Sequence, residues 1–189
     1  MTNVSIIGTG NMGNAIGAIA AAGGHSVEHI GRDAQAIAGD IVVLAVPFPA
    51  VDDIVATHGA ALAGKIVVDI TNPLDFSTFD SLVVPADGSA AQVIAEKLPQ
   101  STVLKAFNTN FAATLASKTV GDAPTVVQIA GDDDAAKTLL ADIVRAGGLG
   151  VVDAGALKRA RELEAIGFLQ LTLAASEKIS WTGGYSLSA

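Results

Sequence analysis

No cysteine occurs among the 189 residues. That excludes disulfides, thiolate nucleophiles and cysteine-ligated metals. Aromatic residues are scarce, with six Phe, one Tyr and one Trp. The core must therefore come from Ala, Val, Ile and Leu, a palette suited to a parallel sheet covered by helices on both faces. Positive charge is short as well: eleven Lys and Arg stand against nineteen Asp and Glu, a formal net charge of −8. An acidic surface disfavours nucleic acid and anionic membrane as partners. Long apolar runs are also missing. The richest stretch near the C-terminus, residues 165–175, contains Gln170 and Thr172 and is too short to span a bilayer. The N-terminus has no basic flank, and its apolar run breaks at glycine, so it reads as a strand and not a signal peptide. The cytoplasm is the default compartment. Half the residues are apolar, which argues against disorder.

What is present begins with residues 4–13, Val-Ser-Ile-Ile-Gly-Thr-Gly-Asn-Met-Gly. An apolar strand runs straight into G-x-G-x-x-G, and a helical run to residue 22 follows. Gly8 permits a tight turn, Gly10 lets backbone approach a diphosphate, and Gly13 lets helix and strand pack closely. Free N–H groups and the helix dipole at Thr9, Asn11 and Met12 would favour that diphosphate.

The rest of the chain alternates. Strands are expected at 26–30, 40–46, 66–70, 102–107, 125–130 and 150–153. Helices are expected at 49–62, 89–98, 132–146 and about 156–178. Ser89 and Gln92 stand at capping-box spacing. Such alternation predicts a single α/β domain over 1–189 with a Rossmann-type, doubly wound, mostly parallel sheet. Its dinucleotide-binding core reaches about residue 153, and a long C-terminal helix and tail follow. Right-handed crossovers place the strands' C-terminal ends on one edge, where ligands bind. Thr9, Arg32, Pro47, Thr71-Asn72-Pro73 and Asn108-Thr109-Asn110 are expected there. Only residues 33–39 separate Arg32 from the next central strand. A helix and a strand need about a dozen residues or more, so the fold is abbreviated after the second strand.

A cation after the second strand pairs with a 2′-phosphate and selects NADP, whereas an acid there binds ribose hydroxyls and selects NAD. Gly31 gives room and Arg32 offers a planar donor fork. Glu28 and Asp33 keep NAD open. Side-chain catalysts are absent from the expected cleft, and no catalytic residue or metal ligand is assigned. His25, His29 and His58 read as structural or solvent-facing. Asp132-Asp133-Asp134 and Asp52-Asp53 open helices, where acids complement the dipole. Asp69 precedes the Thr71-Asn72-Pro73 loop and anchors it. A nicotinamide site without a general acid suits direct hydride transfer between stacked rings. Asn72 and Asn108-Thr109-Asn110 are candidates for amide contacts, and Pro47, Phe48 and Phe111 for apolar faces.

The set G-T-G-N-M-G at 8–13, G-R-D at 31–33, I-V-V-L-A-V-P at 41–47, D-I-T-N-P at 69–73, K-A-F-N-T at 105–109 and G-A-L-K-R-A-R-E-L-E at 155–164 resembles the NADPH-dependent deazaflavin (coenzyme F420) oxidoreductase family. It is also similar to the oxidoreductase domain of the STEAP metalloreductases. The resemblance implies NADP(H) as cofactor, with Thr9, Gly31 and Arg32 near the 2′-phosphate, and hydride exchange with a deazaflavin or flavin. It implies cofactor contacts from Gly8, Thr9, Gly10, Asn11, Met12, Gly13, Gly31, Arg32, Ala45, Val46, Pro47, Asn72 and Pro73. Phe48, Asn108, Thr109 and Asn110 are the candidates for the small-molecule redox substrate. Two features depart from the family: Gly31 stands where a serine is usual, and the element after Arg32 is missing.

Ile166, Phe168, Leu169, Leu171 and Leu173 point nearly all round the last helix. Such a helix should be buried, so a homodimer contact is expected there, with Trp181, Gly183-Gly184 and Tyr185 within reach of a partner's cleft. Two rivals remain. A β-hydroxyacid-type dehydrogenase shares the glycine turn, but only about 30 residues follow the final strand to supply its helical domain. A non-catalytic nucleotide-binding sensor suits the missing acid and base.

Overall fold

Short aliphatic strands, the central ones buried on both faces, stack side by side and carry helices above and below. A computed structural model describes residues 1–31 and 36–187. The order is β1 (Asn3–Ile7), α1 (Asn11–Ala22), β2 (Ser26–Ile30), β3 (Ile41–Leu44), α2 (Val51–Leu62), β4 (Ile66–Asp69), α3 (Ala90–Lys97), β5 (Thr102–Ala106), α4 (Ala112–Ser117), β6 (Thr119–Val120), β7 (Ala123–Pro124), β8 (Val126–Gly131), α5 (Asp134–Ala146), β9 (Gly150–Gly155) and α6 (Ala160–Ala175). Single 3₁₀ turns, Phe48–Ala50 and Leu157–Arg159, lead into α2 and α6.

Seven strands form one sheet in the order β2-β1-β3-β4-β5-β8-β9, and β6 pairs with β7 in a separate two-stranded ribbon. Alternation splits each strand between two cores. Ile41 and Val43 of β3 join Ile6, Val68 and Leu104 beneath α1 and α5. Val42 and Leu44 join Ile7, Val67 and Val103 beneath α2 and α3. Pairing is parallel from β2 through β5.

Two expectations need correction. β8 runs antiparallel to β5, and β9 runs parallel to β8, so these two strands end on the edge opposite the glycine turn. The reason lies in residues 107–125. They fold into α4 and the β6–β7 ribbon, which return the chain on the same edge where β5 ends instead of crossing over the sheet. The last helix is not buried all round. Its buried stripe is Ala160, Leu163, Glu164, Gly167, Gln170 and Ala174, whereas Ile166, Phe168, Leu171 and Leu173 are half-buried and Leu169 is exposed. Small and polar residues face the core because the helix lies very close to the loops after β4 and β5.

The abbreviation after β2 holds in the sheet order, because β2 is an edge strand with β1 directly inside it. Ser5 and Glu28 fasten the returning chain. The Ser5 hydroxyl donates to Glu28 and accepts from the Gly39 N–H at 2.8 Å. Glu28 Oε1 also accepts from the Ala38 N–H at 2.9 Å. The Ser5 hydrogen bond holds the Glu28 carboxyl below its ordinary value. Glu28 is thus a staple for the short connection, which leaves it unsuited to the ribose role weighed for it.

Candidate functional site

The glycine turn joins β1 to α1 with the geometry a phosphate grip needs. Gly8 has φ of +121°, and a Cβ there would lie 2.2 Å from the Ala45 carbonyl oxygen, so only glycine fits. A Cβ on Gly13 would meet the Gly8 carbonyl oxygen at 2.6 Å and Ile6 at 3.2 Å, so that position sets the helix-to-strand spacing. Gly10 differs from both. It is the N-cap of α1 with φ of −75°, and a Cβ would meet nothing within 4 Å. No side chain caps α1, and no acid occupies its first turn. The helix therefore starts with unsatisfied N–H donors facing open space.

A cleft opens on each side of this turn. The second cleft, about 520 Å³, is lined by Gly8, Thr9, Ile30, Gly31, Val46, Pro47, Asp53 and His58 among others. The first, about 390 Å³, is lined by Asn11, Met12, Ile70, Asn72, Asn108, Asn110, Phe111, Ala112, Ala113, Leu171 and Trp181. Every residue lining the first cleft is uncharged.

Beneath the first cleft lies a buried ionic cluster that the sequence reading did not assemble. Lys105 Nζ sits 2.8 Å from Asp69 Oδ2 and 2.8 Å from Glu164 Oε1, with all three side chains sealed from water. It also donates to the Thr71 carbonyl at 2.5 Å. Asp69 Oδ1 accepts from the Thr71 N–H at 2.8 Å, which is the anchoring expected of Asp69. Glu164 caps α3 from a distance, accepting from the N–H groups of Ala90 at 2.8 Å and Ala91 at 3.2 Å. Burial pushes its carboxyl above the ordinary value, against the pull of Lys105. The cluster ties β4, β5, α3 and α6 together and fixes the loop that carries Asn72.

Two asparagines then close the floor. Asn108 Nδ2 donates to Asn72 Oδ1 at 3.0 Å and to the Leu163 carbonyl at 2.8 Å, and Asn72 Nδ2 donates to the Asn108 carbonyl at 3.0 Å. Buried Phe107, at φ of +63°, makes the sharp turn that sets Asn108 here. Gly167 lets α6 come this close, since a Cβ there would lie 2.3 Å from Asn72 Oδ1. Asn110 Nδ2 donates to the Val126 carbonyl at 3.1 Å. With their amide nitrogens committed to carbonyl acceptors, Asn108 Oδ1 and Asn110 Oδ1 are buried without a partner.

The tail forms one wall of the same cleft. Gln170 donates to the Thr109 carbonyl at 3.2 Å and accepts from the Tyr185 N–H at 3.0 Å. The Trp181 ring stands 5.0 Å from that of Phe111. In the single chain Trp181 thus lines its own cleft, where the sequence placed the tail within reach of a partner's.

Comparison with known proteins adds the family. The model of the family described as NADP oxidoreductase coenzyme F420-dependent matches residues 28–73. Over 149 residues the chain is 30% identical to the F420-dependent NADP reductase of Methanocaldococcus jannaschii, covering 77% of this chain and 66% of that protein. The chain is thus similar to F420-dependent NADP oxidoreductases over part of its length. It is also 38% identical over 105 residues to the metalloreductase STEAP3 of Rattus norvegicus, covering 56% of this chain but 20% of that one. The chain thus spans less than two thirds of the length of either relative. Among solved structures, an Arthrobacter sp. FB24 protein with a provisional assignment as an F420-dependent NADP reductase superposes with a TM-score of 0.87 at 24% identity, over 100% of both chains. At that identity the likeness speaks for the fold. A hypothetical protein of Sinorhizobium meliloti superposes at 0.69 with 29% identity, over 83% of this chain and 86% of that one.

The residues named from sequence divide between the clefts. Gly8, Thr9, Gly31, Val46 and Pro47 gather in the second, and Asn11, Met12, Asn72, Asn108 and Asn110 in the first. Ala45 packs against the glycine turn, and Pro73 is buried in the loop after β4. Phe48 and Thr109 line neither cleft. Phe48 packs on the core beneath α2, and Thr109 is buried, its hydroxyl accepting from Gln128 at 3.3 Å. Arg32 and Asp33 lie outside the described residues. His58 is buried and lines the second cleft, and His25 accepts from the Thr2 N–H at 3.2 Å. The triple aspartate is a helix start: Asp133 caps α5 through the Ala136 N–H at 2.9 Å, and Asp132 accepts from Leu157 N–H at 2.9 Å. Lys105 and Glu164 belong to the motifs K-A-F-N-T and A-R-E-L-E, and a lysine inside the apolar run Val-Leu-Lys-Ala-Phe was the signal that a buried partner existed.

Proposed function

We propose that this protein is an NADP(H)-dependent oxidoreductase that passes hydride directly between nicotinamide and a deazaflavin, a flavin or a similar ring acceptor. The observation that carries the reading is the uncapped start of α1, set at Gly10 between the two clefts. Open N–H donors with room for a bulky anion suit a diphosphate, and a cleft on either side suits the two halves of a dinucleotide.

In this reading Gly8, Thr9, Gly10, Asn11, Met12 and Gly13 hold the diphosphate. Thr9, Gly31 and Arg32 serve the 2′-phosphate, with Ala45, Val46 and Pro47 along the adenosine half. Asn72, Pro73, Asn108 and Asn110 position the nicotinamide and the acceptor. The bound nicotinamide supplies or takes up the hydride. The chain's own residues align the rings and exclude water. No ionisable side chain lines the first cleft among the described residues, which fits a transfer that needs no protein acid. The Methanocaldococcus jannaschii relative, named for F420-dependent NADP reduction, supports the same reading.

The test mixes the protein with NADPH and follows its absorbance with FMN, FAD, deazaflavin or ferric chelate as acceptor. Turnover with any of them supports the enzyme. Tight NADPH binding without oxidation across the panel favours a non-catalytic binding module. Calorimetry without heat for NADPH or NADH removes both. Arg32→Ala should cut the preference for NADPH over NADH by roughly tenfold or more, given about 1.5–3 kcal/mol for a charged hydrogen bond. An unchanged preference takes Arg32 out of the site.

No described helix is long and apolar enough to cross a membrane, and a cytoplasmic location is part of the proposal. So is a homodimer through the outer side of α6, where Phe168, Leu169 and Leu173 remain incompletely covered. Light scattering should give twice the chain mass, and Leu169→Glu should lower it to one. A wild-type protein that runs as a monomer at high concentration ends that proposal.

A further inference from the structure

One face of α2 forms a wall of the second cleft. Ile54 and His58 stand four residues apart in one row of that helix, and Asp53 and Thr57 stand four apart in the row beside it. Only 9% of His58 is exposed, yet among the described residues its ring has no hydrogen-bond partner, and neither ring nitrogen is sealed from water. Asp53 is conspicuous for a different reason. An acid in the first turn complements the helix dipole, but Asp52 already does so and pairs with Lys97. Among the described residues Asp53 is the one acid lining this cleft, no lysine or arginine joins it there, and it makes no ion pair. A lone carboxylate beside a polyanionic dinucleotide costs affinity through like-charge repulsion, unless it meets a hydrogen-bond donor on the ligand.

We infer that Asp53 and His58 select the base of the dinucleotide: Asp53 accepts from the exocyclic amino group of adenine, and His58 donates to one of its ring nitrogens. This rests on the oxidoreductase reading above and adds the residues that tell adenine from other purines. In that reading the diphosphate lies at Gly10 and the ribose with its 2′-phosphate at Thr9 and Gly31, so the base is the part of the ligand left for α2. Ile30, Val46, Pro47 and Ile54 give the cleft apolar surface for the flat faces of a purine. A carboxylate only accepts, and an imidazole has at least one N–H to donate. That pair matches adenine, whose 6-amino group donates while its ring nitrogens accept. Hypoxanthine and guanine carry a carbonyl oxygen at the same position. Against Asp53 that oxygen sets acceptor against acceptor, and the carboxylate loses its donor. The repulsion that Asp53 brings to a polyanion is thus offset for adenine alone.

Calorimetry should compare NADPH with its deamino analogue, in which a carbonyl oxygen replaces the 6-amino group. The wild-type protein should bind the analogue roughly tenfold more weakly, the worth of a charge-assisted hydrogen bond. The factor stays far below the roughly ten-thousandfold of a sealed hydrogen-bonding site, because Asp53 is open to water. Asp53→Asn changes an exposed side chain without changing its shape, and its carboxamide can turn a donor towards the oxygen. In that variant the two ligands should bind within about twofold of each other, once the charged bond is gone. His58→Phe keeps a ring of similar shape and should weaken NADPH binding by roughly two- to tenfold, with His58→Gln recovering most of the loss. Thermal unfolding of each variant separates a lost contact from a lost fold. Equal wild-type affinity for the two ligands overturns the inference and leaves the oxidoreductase reading standing, as does discrimination that persists in Asp53→Asn. A stable His58→Phe that binds NADPH like the wild type overturns the role of that ring. No heat from NADPH in the wild type overturns the oxidoreductase reading and the base selection with it.

Discussion

Lys105→Ala should lose about 3–5 kcal/mol of folding stability, the range for removing one member of a buried ion cluster. Against a total of about 5–15 kcal/mol for a domain, that is at least a fifth of the folding free energy. The loss is large because Asp69 and Glu164 are both sealed from water and both rely on the same ammonium group. Losing the Lys105 hydrogen bond to the Thr71 carbonyl also frees the loop that positions Asn72. A urea midpoint measures the effect. The triple variant Asp69→Asn, Lys105→Met, Glu164→Gln separates charge from packing. It removes the three charges of the cluster and keeps side-chain acceptors for the Thr71 N–H and for one of the Ala90 and Ala91 N–H groups, which donate to separate Glu164 oxygens. Replacing a whole buried ion cluster is often close to neutral, so the triple variant should be more stable than Lys105→Ala alone. A single variant within about 1 kcal/mol of wild type, the ordinary range for a surface ion pair, would show that water reaches the cluster.

This cluster marks where sequence reading stopped. The glycine turn was legible because its chemistry is local: strand, turn and helix follow within a few residues, and each glycine answers to a nearby atom. The aliphatic strands were legible because burial on both faces writes an unbroken apolar run. The direction of β8 was not, since an apolar run reads the same in a parallel or an antiparallel strand. Nor was the pairing of Lys105 with Glu164, because the motifs that hold them are far apart in the chain and meet only when α6 packs against β5. Gly167 shows the same limit. In sequence it is a glycine within an apolar helix, and its purpose is visible only once Asn72 and Asn108 stand beneath it. Trp181 was expected within reach of a partner's cleft, and the hold of Gln170 on the tail, which keeps it beside its own, joins residues 15 apart that no local pattern links.

Gly10→Asp should abolish NADPH binding and leave the fold as stable as before, or slightly more so. The two effects have opposite signs because Gly10 has a functional reason to be glycine and no structural one. Its backbone is extended at φ −75° and ψ −179°, and a Cβ meets nothing within 4 Å. Aspartate is a favoured N-cap in that conformation, and it adds a carboxylate at the positive end of a helix that has neither cap nor acid. Relative to glycine the gain is a few tenths of a kcal/mol from the cap and about 0.3–1 kcal/mol from the dipole. The same carboxylate takes the N–H donors assigned to the diphosphate and repels it. Losing two charge-assisted hydrogen bonds at about 1.5 kcal/mol each weakens binding by roughly a hundredfold or more. Gly8→Ala is the contrasting case. With φ of +121° and a carbonyl 2.2 Å from the new Cβ, it should lower stability first and binding as a consequence. Thermal unfolding together with NADPH calorimetry on the two variants distinguishes a phosphate grip from a tight turn. If Gly10→Asp bound NADPH like the wild type, α1 would not be where the diphosphate rests, and the two clefts would need a different ligand.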